Sequence, residues 1–458
     1  MRREENPGTR RERLSKIHQI VIGCAGAALF ILGVEGILAI DRGAEVRLFD
    51  IDSQNRWSMT IRDGRDRIKI KSRGDVDIVE DGELPTLEIA DGGRLEIDAR
   101  WDGERRKLDA RGTADGIDFD YRVDGDTRPL DADGREWLGE MLLEAVRTGG
   151  LDARERALNL YAAGGLRALD AELAHIRGEG NRGRYLIAVL DEDPADRDLA
   201  ALLTVARQRL DGDYPLLSLL ESVTPGRLAD SGVAEAYFGA VRSLDSDHHR
   251  RRMLSHVMEG VGGDQWSEFF RAAATLDSDH EAAALVLEFS GYSPTAVPTG
   301  LLQLIKGIDG DHQQSRAIEA LFTGPLDAES RDALLSTAAA ELSTDHEAAE
   351  LLIIHAQHAG GATPSALTLL RTIDTDHLQG RAFEALTESA DAAELPALVG
   401  AATIDTDHVL ARALLHLHGR GAGSDPELRR AVETAAERLD NEVQRRRVQE
   451  AWGLGAGP

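Results

Sequence analysis

This chain of 458 residues is short of several residue types, and each shortage excludes a class of structure. Its single cysteine, Cys24, leaves no intramolecular disulfide and no cysteine-based zinc site. Aromatic residues make up 4%, so the cores must consist mainly of Leu, Ala, Ile and Val, which suits packed helices. The sequence also lacks the G-x-S-x-G, P-loop, dinucleotide-binding and H-E-x-x-H patterns. We therefore predict no catalytic residue, no metal site and no cofactor.

Positive charge is scarce relative to negative charge. The formal net charge is -28, and lysine occurs only at positions 16, 69, 71, 107 and 306. A surface of this kind repels phosphate groups instead of releasing their counterions. The charge balance therefore argues against binding to nucleic acid or to bare anionic lipid.

One long apolar run lies near the N-terminus. Residues 20–40 read IVIGCAGAALFILGVEGILAI, with Glu35 as the one charged residue, and about 20 such residues suffice to cross a bilayer. The basic tail over 1–16 favours a cytoplasmic N-terminus. We expect a transmembrane helix over 17–41 in the inner membrane, with the bulk of the chain outside the cytoplasm. A cleaved signal peptide and a lipid attachment at Cys24 are the alternatives, and both lack a good cleavage site.

Glu35 is the unusual residue of this span. A carboxylate at mid-bilayer costs roughly 2.5–3.5 kcal/mol on insertion scales. Two interpretations stay open. Glu35 either reaches the outer interface or is protonated, or it makes a polar contact with a partner helix.

The region 45–125 alternates between apolar and polar residues, as in DRIKIK (66–71) and RLEIDARW (94–101). Asp-Gly pairs between such runs are typical of hairpin turns. The pattern predicts about seven antiparallel strands, whose charged side chains form a solvated face. The alternative is a ligand groove built from Arg100, Arg105, Arg106 and Lys107. An amphipathic helix over 126–150 then connects this domain to the rest.

The remainder, 151–450, repeats, and a flexible tail is expected over 451–458. The stretch TIDTDH occurs at 372–377 and again at 403–408, and related copies place an acidic residue at nine positions, spaced 31 to 35 residues apart. Such a period is typical of a solenoid. These positions are 179, 213, 247, 279, 311, 345, 376, 407 and 442. We predict an α+β protein with about nine helix–turn–helix repeats, in which each motif links one repeat to the next.

The motif residues are predicted to cap the helices that follow them. Ser or Thr suits the N-cap, and the next Asp would meet the positive end of the helix dipole. Calcium requires six to eight oxygens, which a single motif does not supply, so metal binding and a proton-sensing row of histidines are the weaker alternatives. The predicted caps are Ser246, Asp247, Ser278, Asp279, Asp311, Thr344, Asp345, Thr375, Asp376, Thr406 and Asp407.

The order of these segments, with YRVDGDTRPLDADGREWLGEML before repeats of the DSDH type, resembles a known arrangement. It is similar to the extracytoplasmic region that follows the peptidase domain in BlaR-type antirepressor membrane metallopeptidases. Their repeats read Ser-Asp-Tyr, and Tyr214 is the nearest match here, because most copies carry His. Without an H-E-x-x-H motif, the resemblance implies a sensing or binding region and no peptidase activity.

These observations together predict a non-catalytic protein of the bacterial envelope. We expect a scaffold or sensor that binds a protein partner through the solenoid and reaches the membrane through residues 20–40. One rival is a sensor of small molecules or peptidoglycan fragments that uses the β domain. A second rival is an enzyme whose site is assembled between repeats.

The predicted topology has a direct test. A reporter that is active only outside the cytoplasm should be active when it is fused to the C-terminus, because the basic tail keeps the N-terminus inside. Reporter activity in intact cells is the measurement. Activity of a reporter that works only in the cytoplasm would contradict the topology.

Overall fold

The computed structural model describes residues 36–41, 44–49, 56–79, 84–358, 360–420 and 425–454. The chain divides into two compact units, Met1–Ala188 and Val189–Pro458. Within the described residues it is an α+β protein, with an antiparallel sheet followed by nineteen α-helices.

Eight strands form one antiparallel sheet in the order β1-β2-β3-β4-β7-β8-β9-β10, and β5 pairs with β6 in a separate hairpin. Eight of these strands, β2 to β9, fall in the region 45–125, where about seven were expected, and one more lies on each side of it. The strands are β1 (Gly36–Asp41), β2 (Ala44–Phe49), β3 (Arg56–Asp63), β4 (Asp66–Arg73), β5 (Val76–Val79), β6 (Thr86–Ile89), β7 (Arg94–Trp101), β8 (Glu104–Thr113), β9 (Gly116–Val123) and β10 (Asp126–Arg128).

Asp-Gly pairs make the tight turns of this sheet. Between β7 and β8, Asp102 has φ 52° and Gly103 has φ 84°, and between β9 and β10, Asp124 has φ 52° and Gly125 has φ 103°. Two consecutive positive φ angles match the right-handed twist of the flanking strands, and Asp and Gly tolerate them best. The turns fix the register, and with it the face on which each side chain lies.

One face of the sheet is covered by helix α1 (Ala132–Gly149), which begins at the N-cap Asp131. Trp137, Met141 and Val146 of this helix belong to the same core as Ile68 and Ile97 of the sheet. The Trp137 ring lies 5.5 Å from that of Tyr121. The expected connecting helix is therefore also the second layer of the β domain.

A buried ion-pair cluster joins α1 to α2 (Ala153–Leu173). Glu172 accepts hydrogen bonds from Arg147 at 2.8 and 2.9 Å and from Arg156 at 2.9 Å. Burial alone would raise the pKa of Glu172, but these bonds lower it to about 2. The carboxylate therefore stays charged inside the fold.

In the described part of the chain, no helix has the length and apolar character needed to cross a membrane. The tail 1–16 and most of the predicted span, including Glu35, lie outside the described residues. The helix expected over 17–41 is wrong for Gly36–Asp41, which forms β1 and pairs with β2. A short apolar run such as GILAI fits a strand as well as a helix, and here the adjoining segment AEVRLF supplies a partner strand.

The repeats consist of alternating helices. From α3 onward, every odd-numbered helix begins at one of the nine acidic positions found in the sequence. The remaining helices are α3 (Glu179–Leu190), α4 (Asp196–Arg209), α5 (Asp213–Glu221), α6 (Ser231–Val241), α7 (Asp247–Val257), α8 (Gln265–Ala273), α9 (Asp279–Ser290), α10 (Thr299–Lys306), α11 (Asp311–Phe322), α12 (Ala328–Glu341), α13 (Asp345–Gln357), α14 (Pro364–Arg371), α15 (Asp376–Ser389), α16 (Leu395–Ala401), α17 (Asp407–Gly419), α18 (Pro426–Glu437) and α19 (Glu442–Trp452).

Within the second unit, equivalent helices of successive repeats lie side by side. Helix α4 packs on α6, α9 on α11, and α13 on α15. Their shared core is aliphatic with a few rings, such as Leu369 and Leu370 of α14 and Phe383 of α15. This stacking brings each motif next to the motif of the neighbouring repeat.

Candidate functional site

The second Asp of each motif connects two repeats. Asp376, the first residue of α15, accepts hydrogen bonds from the backbone N–H groups of Asp405 at 3.1 Å and Thr406 at 2.7 Å in the next motif. The carboxylate lies at the positive end of its own helix and also satisfies two backbone donors of the following link.

The same contact recurs along the solenoid, and we call the seven half-buried carboxylates the aspartate ladder. They are Asp213, Asp247, Asp279, Asp311, Asp345, Asp376 and Asp407. Each accepts hydrogen bonds from backbone N–H groups in the next link. Besides those to Asp376, given above, the donors are Asp245 (2.8 Å) and Ser246 (3.0 Å) for Asp213; Asp277 (3.0 Å) and Ser278 (2.7 Å) for Asp247; Asp309 (3.1 Å) and Gly310 (2.8 Å) for Asp279; Ser343 (3.1 Å) for Asp311; Asp374 (3.2 Å) and Thr375 (2.7 Å) for Asp345; and Asp440 (3.0 Å) and Asn441 (2.7 Å) for Asp407.

The hydroxyl residues occupy the N-cap position, but most do not cap their own helix. Of the five predicted, only Ser278 accepts a hydrogen bond from its helix, from the N–H of Glu281 at 3.4 Å. The side chains of Ser246, Thr344, Thr375 and Thr406 make no such bond.

Three of these hydroxyls instead point to the preceding repeat. Thr375 donates to Asp345 at 2.5 Å, Thr406 donates to Asp376, and Thr344 donates to Asp311. A hydroxyl that donates to a charged carboxylate makes a stronger bond than one that accepts from an amide. The predicted capping bond is therefore replaced by a bond between repeats.

The ladder contacts favour the ionised carboxylates. The hydrogen bond from Thr375 lowers the pKa of Asp345. Burial would raise the pKa of Asp376, but its bonds from Thr406 and Asp405 outweigh burial and lower it. The pKa values of Asp213 and Asp311 are lowered in the same way, against burial, by bonds from the next motif.

An exposed edge accompanies the ladder, and we call it the acidic edge. The residue after each ladder position is exposed, and so is an aspartate two positions before most of them. The first set, the exposed column, is Tyr214, His248, His280, His312, His346, His377, His408 and, after Glu442, Val443. The second set, the outer aspartates, is Asp211, Asp245, Asp277, Asp309, Asp374, Asp405 and, before Glu442, Asp440.

Two histidines of this column each approach one carboxylate. His248 lies 3.5 Å from Glu281, and His312 lies 3.9 Å from Glu347. Across the described ranges, no group of three or more His, Cys, Asp or Glu side chains is arranged to hold a metal ion.

Three further histidines, His355, His416 and His418, lie on helices of the repeats. His355 is buried, with Nε2 3.1 Å from the carbonyl oxygen of Gly361, and burial lowers its pKa. The His418 ring lies 5.3 Å from that of Trp452. His416 lies 2.8 Å from a carboxylate oxygen of Glu388.

A second surface lies on the β domain, on the face of β3, β4, β7, β8 and β9 opposite α1. We call it the basic sheet face, because most of its side chains are Arg or Lys despite the net charge of -28. Its cross-strand rows, read from β3, are Arg62, Arg67, Arg100 and Arg105; Thr60, Lys69, Asp98, Lys107 and Arg122; Ser58, Lys71, Glu96, Asp109 and Asp120; and Arg56, Arg73, Arg94, Arg111 and Asp118.

The acids of this face are held by nearby arginines. Asp109 lies 2.5 Å from Arg94 and 2.8 Å from Arg111, and the hydrogen bond from Arg94 contributes most to lowering its pKa to about 2. Asp98 lies 3.1 Å from Arg105 and 3.3 Å from Lys107. These acids keep their charge at neutral pH and are already paired.

The face forms a groove of about 330 Å³, lined by Lys69, Lys71, Arg94, Lys107 and Arg122 together with the paired acids. Of the four residues expected in a groove from sequence, only Lys107 lines it. Arg100, Arg105 and Lys107 lie on this face, but Arg106 lies on the other, 5.8 Å from the Trp137 ring centre. In the sequence, the alternation KIK at 69–71 is the local signal of a basic strand face. Only the pairing register of the strands shows that Arg62, Arg67, Arg100 and Arg105 form one row.

Comparison with family models, curated proteins and solved structures finds no match. The resemblance to the BlaR-type region therefore remains a prediction from sequence.

The ladder predicts a ranking of substitutions. Asp376→Ala should lower the free energy of unfolding by about 2 kcal/mol, because two backbone donors lose a charged acceptor. Thr406→Val should cost about 1 kcal/mol. His377→Tyr should change it by less than about 0.5 kcal/mol. Urea unfolding with and without EDTA measures this, and Asp374→Asn, at an exposed neighbour, is the matched control. An EDTA-sensitive transition, or an equal loss in the control, would contradict the ladder.

The lowered pKa values predict acid sensitivity. In the folded chain the ladder residues Asp213, Asp311, Asp345 and Asp376 have pKa values below the unfolded value of about 3.9. Their contribution to the stability of the fold is therefore complete above about pH 3.9, and it is lost as the pH falls through the folded-state pKa. The urea midpoint should therefore fall below about pH 4. Replacing Asp213, Asp311, Asp345 and Asp376 by Asn should flatten this dependence relative to the unmodified chain. His355, Asp109 and Glu172 titrate in both proteins and cancel in the comparison. An unchanged pH profile would refute the prediction.

Proposed function

We propose that this chain is a non-catalytic scaffold or sensor of the bacterial cell envelope that binds a protein partner along its repeats. The observation that supports this most directly is the acidic edge, which repeats with every motif of the solenoid. Solenoids commonly bind partners over extended surfaces of this kind. The aspartate ladder holds successive parts of the edge in fixed register.

The charge of the edge indicates the chemistry of the partner. Outer aspartates such as Asp277, Asp309 and Asp374 are exposed, and neighbouring helices lie about 8–10 Å apart. A row of carboxylates at that spacing attracts an extended basic segment and speeds its association at low salt. The exposed Tyr214 and Val443, at 76% and 75% exposure, offer apolar contacts in the same column.

The location in the envelope is part of the proposal. Its support is the apolar run over 20–40 and the basic tail before it. In this arrangement the repeats lie outside the cytoplasm and meet partners of the envelope.

A second candidate function is a ligand sensor in which the β domain binds an envelope molecule. The basic sheet face favours it, since a concentration of Arg and Lys in an acidic protein is an electrostatic site for anions.

Site-specific crosslinking tests the scaffold proposal. A photo-crosslinking residue placed at His312 on the acidic edge should form an adduct with a distinct partner in cells. The same residue at Glu329, exposed on α12, should not. Changing Asp245, Asp277, Asp309, Asp374 and Asp405 to Asn should reduce the adduct at least about 10-fold, because the edge loses its exposed charge.

The matched control removes the same charge from elsewhere on the repeats, with Glu235, Glu329, Glu341, Glu433 and Glu437 changed to Gln. That variant should keep the adduct at His312. Equal adducts from both crosslinker positions, or equal loss in the two variants, would refute the proposal.

A further inference from the structure

We propose that the basic sheet face binds a linear polyol phosphate, a chain of phosphodiester-linked three-carbon units, along strand β4. This proposal concerns the first compact unit and does not depend on the partner of the repeats.

Strand β4 carries the cations that are free to bind. Arg67, Lys69, Lys71 and Arg73 alternate along it and share the outer face. Within the described residues these four side chains make no ion pair and no hydrogen bond, nor does Arg100, the β7 residue opposite Arg67.

The acids of the face do not neutralise these four cations. Asp98 is paired with Arg105 and Lys107, Asp109 with Arg94 and Arg111, and Asp120 with Arg122 at 2.6 Å. Glu96 stands opposite Lys71 in the register, but its carboxylate lies 2.9 Å from Arg94. The groove therefore has its negative charge compensated on β7, β8 and β9, whereas β4 keeps an excess of positive charge. An anion that enters the groove is attracted to β4.

The spacing of these cations defines the repeat of the ligand. Residues rise about 3.3 Å along a strand, so successive outer side chains of β4 are about 6.6 Å apart. Three backbone bonds of an extended chain span at most about 3.3–3.6 Å, so a six-bond repeat spans about 7 Å. A phosphodiester of a three-carbon polyol has six bonds from one phosphorus to the next. Each phosphate then meets one side chain of β4.

The side chains of the face favour a chain without bases. Nucleic acid has the same six-bond repeat, but proteins that bind single strands stack bases on aromatic rings. On β3, β4, β7, β8 and β9 no described residue of this face is aromatic, and the exposed Phe119 belongs to the opposite face. Phe49 of β2, in register with Ser58, stands at the edge of the face, away from the groove. A concave groove of about 330 Å³ also suits one chain better than a planar bilayer.

The experiment measures binding of a fluorescent poly(glycerol phosphate) to the full chain as salt is varied. With four phosphate contacts, raising salt from about 50 to 200 mM should weaken binding roughly 50-fold. The variant with Arg67, Lys69, Lys71 and Arg73 changed to Gln should lose most of the binding, and its salt slope should fall by about 3. The slope reports the number of charge contacts, and an unchanged circular dichroism spectrum of the variant shows that its loss does not come from misfolding.

The control variant changes four exposed cations of the repeats, Lys306, Arg316, Arg371 and Arg430, to Gln, and should bind as the unmodified chain does. Two competitors of equal charge identify the ligand class, a single-stranded DNA and a carboxylate polysaccharide, and both should compete at least about 10-fold less well. The proposal would be overturned if either competitor displaced the polymer as well as unlabelled polymer does. It would also be overturned if the chain bound anionic vesicles but not the polymer, or if the control variant lost as much binding as the β4 variant.

Discussion

The contact between one motif aspartate and the backbone of the next motif is the constraint on which the repeat region depends. A link of three to five residues between helices leaves N–H groups that no helix satisfies. Asp345 satisfies two of them, at Asp374 and Thr375, and lies at the start of its own helix as well. A carboxylate is needed because it accepts several hydrogen bonds at once and its charge strengthens each one.

This contact also explains why the motif tolerates change at some positions. In the motif at 308–312 a glycine stands where others have Ser or Thr, yet its N–H still donates to Asp279. The backbone supplies the essential donors, so the hydroxyl adds to the link without being required. The residue that follows the acidic position of the motif is exposed, and Tyr, His and Val all occur there. That position is therefore available for recognition.

Charge is separated between the two parts of the molecule. The net charge of -28 comes with an acidic edge on the repeats, whereas the outer face of the sheet gathers rows of arginine. On the sheet, alternation places apolar residues against α1 and charged residues on the other side. Antiparallel pairing then brings Arg62, Arg67 and Arg100 into one row, although they are scattered along the chain. An average over the whole sequence conceals this local positive field.

The sequence by itself determined the elements whose cause is local. The 31–35-residue period located the start of each odd-numbered helix from α3 onward, because acidic residues and short links mark helix N-termini wherever they occur. Alternation and Asp-Gly pairs located strands such as β7 and β8, because a two-residue turn fixes its own register. The short apolar run at 36–40 was ambiguous, and the strand that pairs with it decided its conformation.

Only the tertiary structure decided which groups the motif side chains contact. Thr406 is a good N-cap by sequence, but its hydroxyl meets Asp376, about thirty residues away, because stacking places a charged acceptor closer than its own helix offers. Arg106 stands between two residues of the outer face, yet packs on Trp137, because its strand position points inward. Such partners are set by the packing of distant segments, which no local pattern encodes.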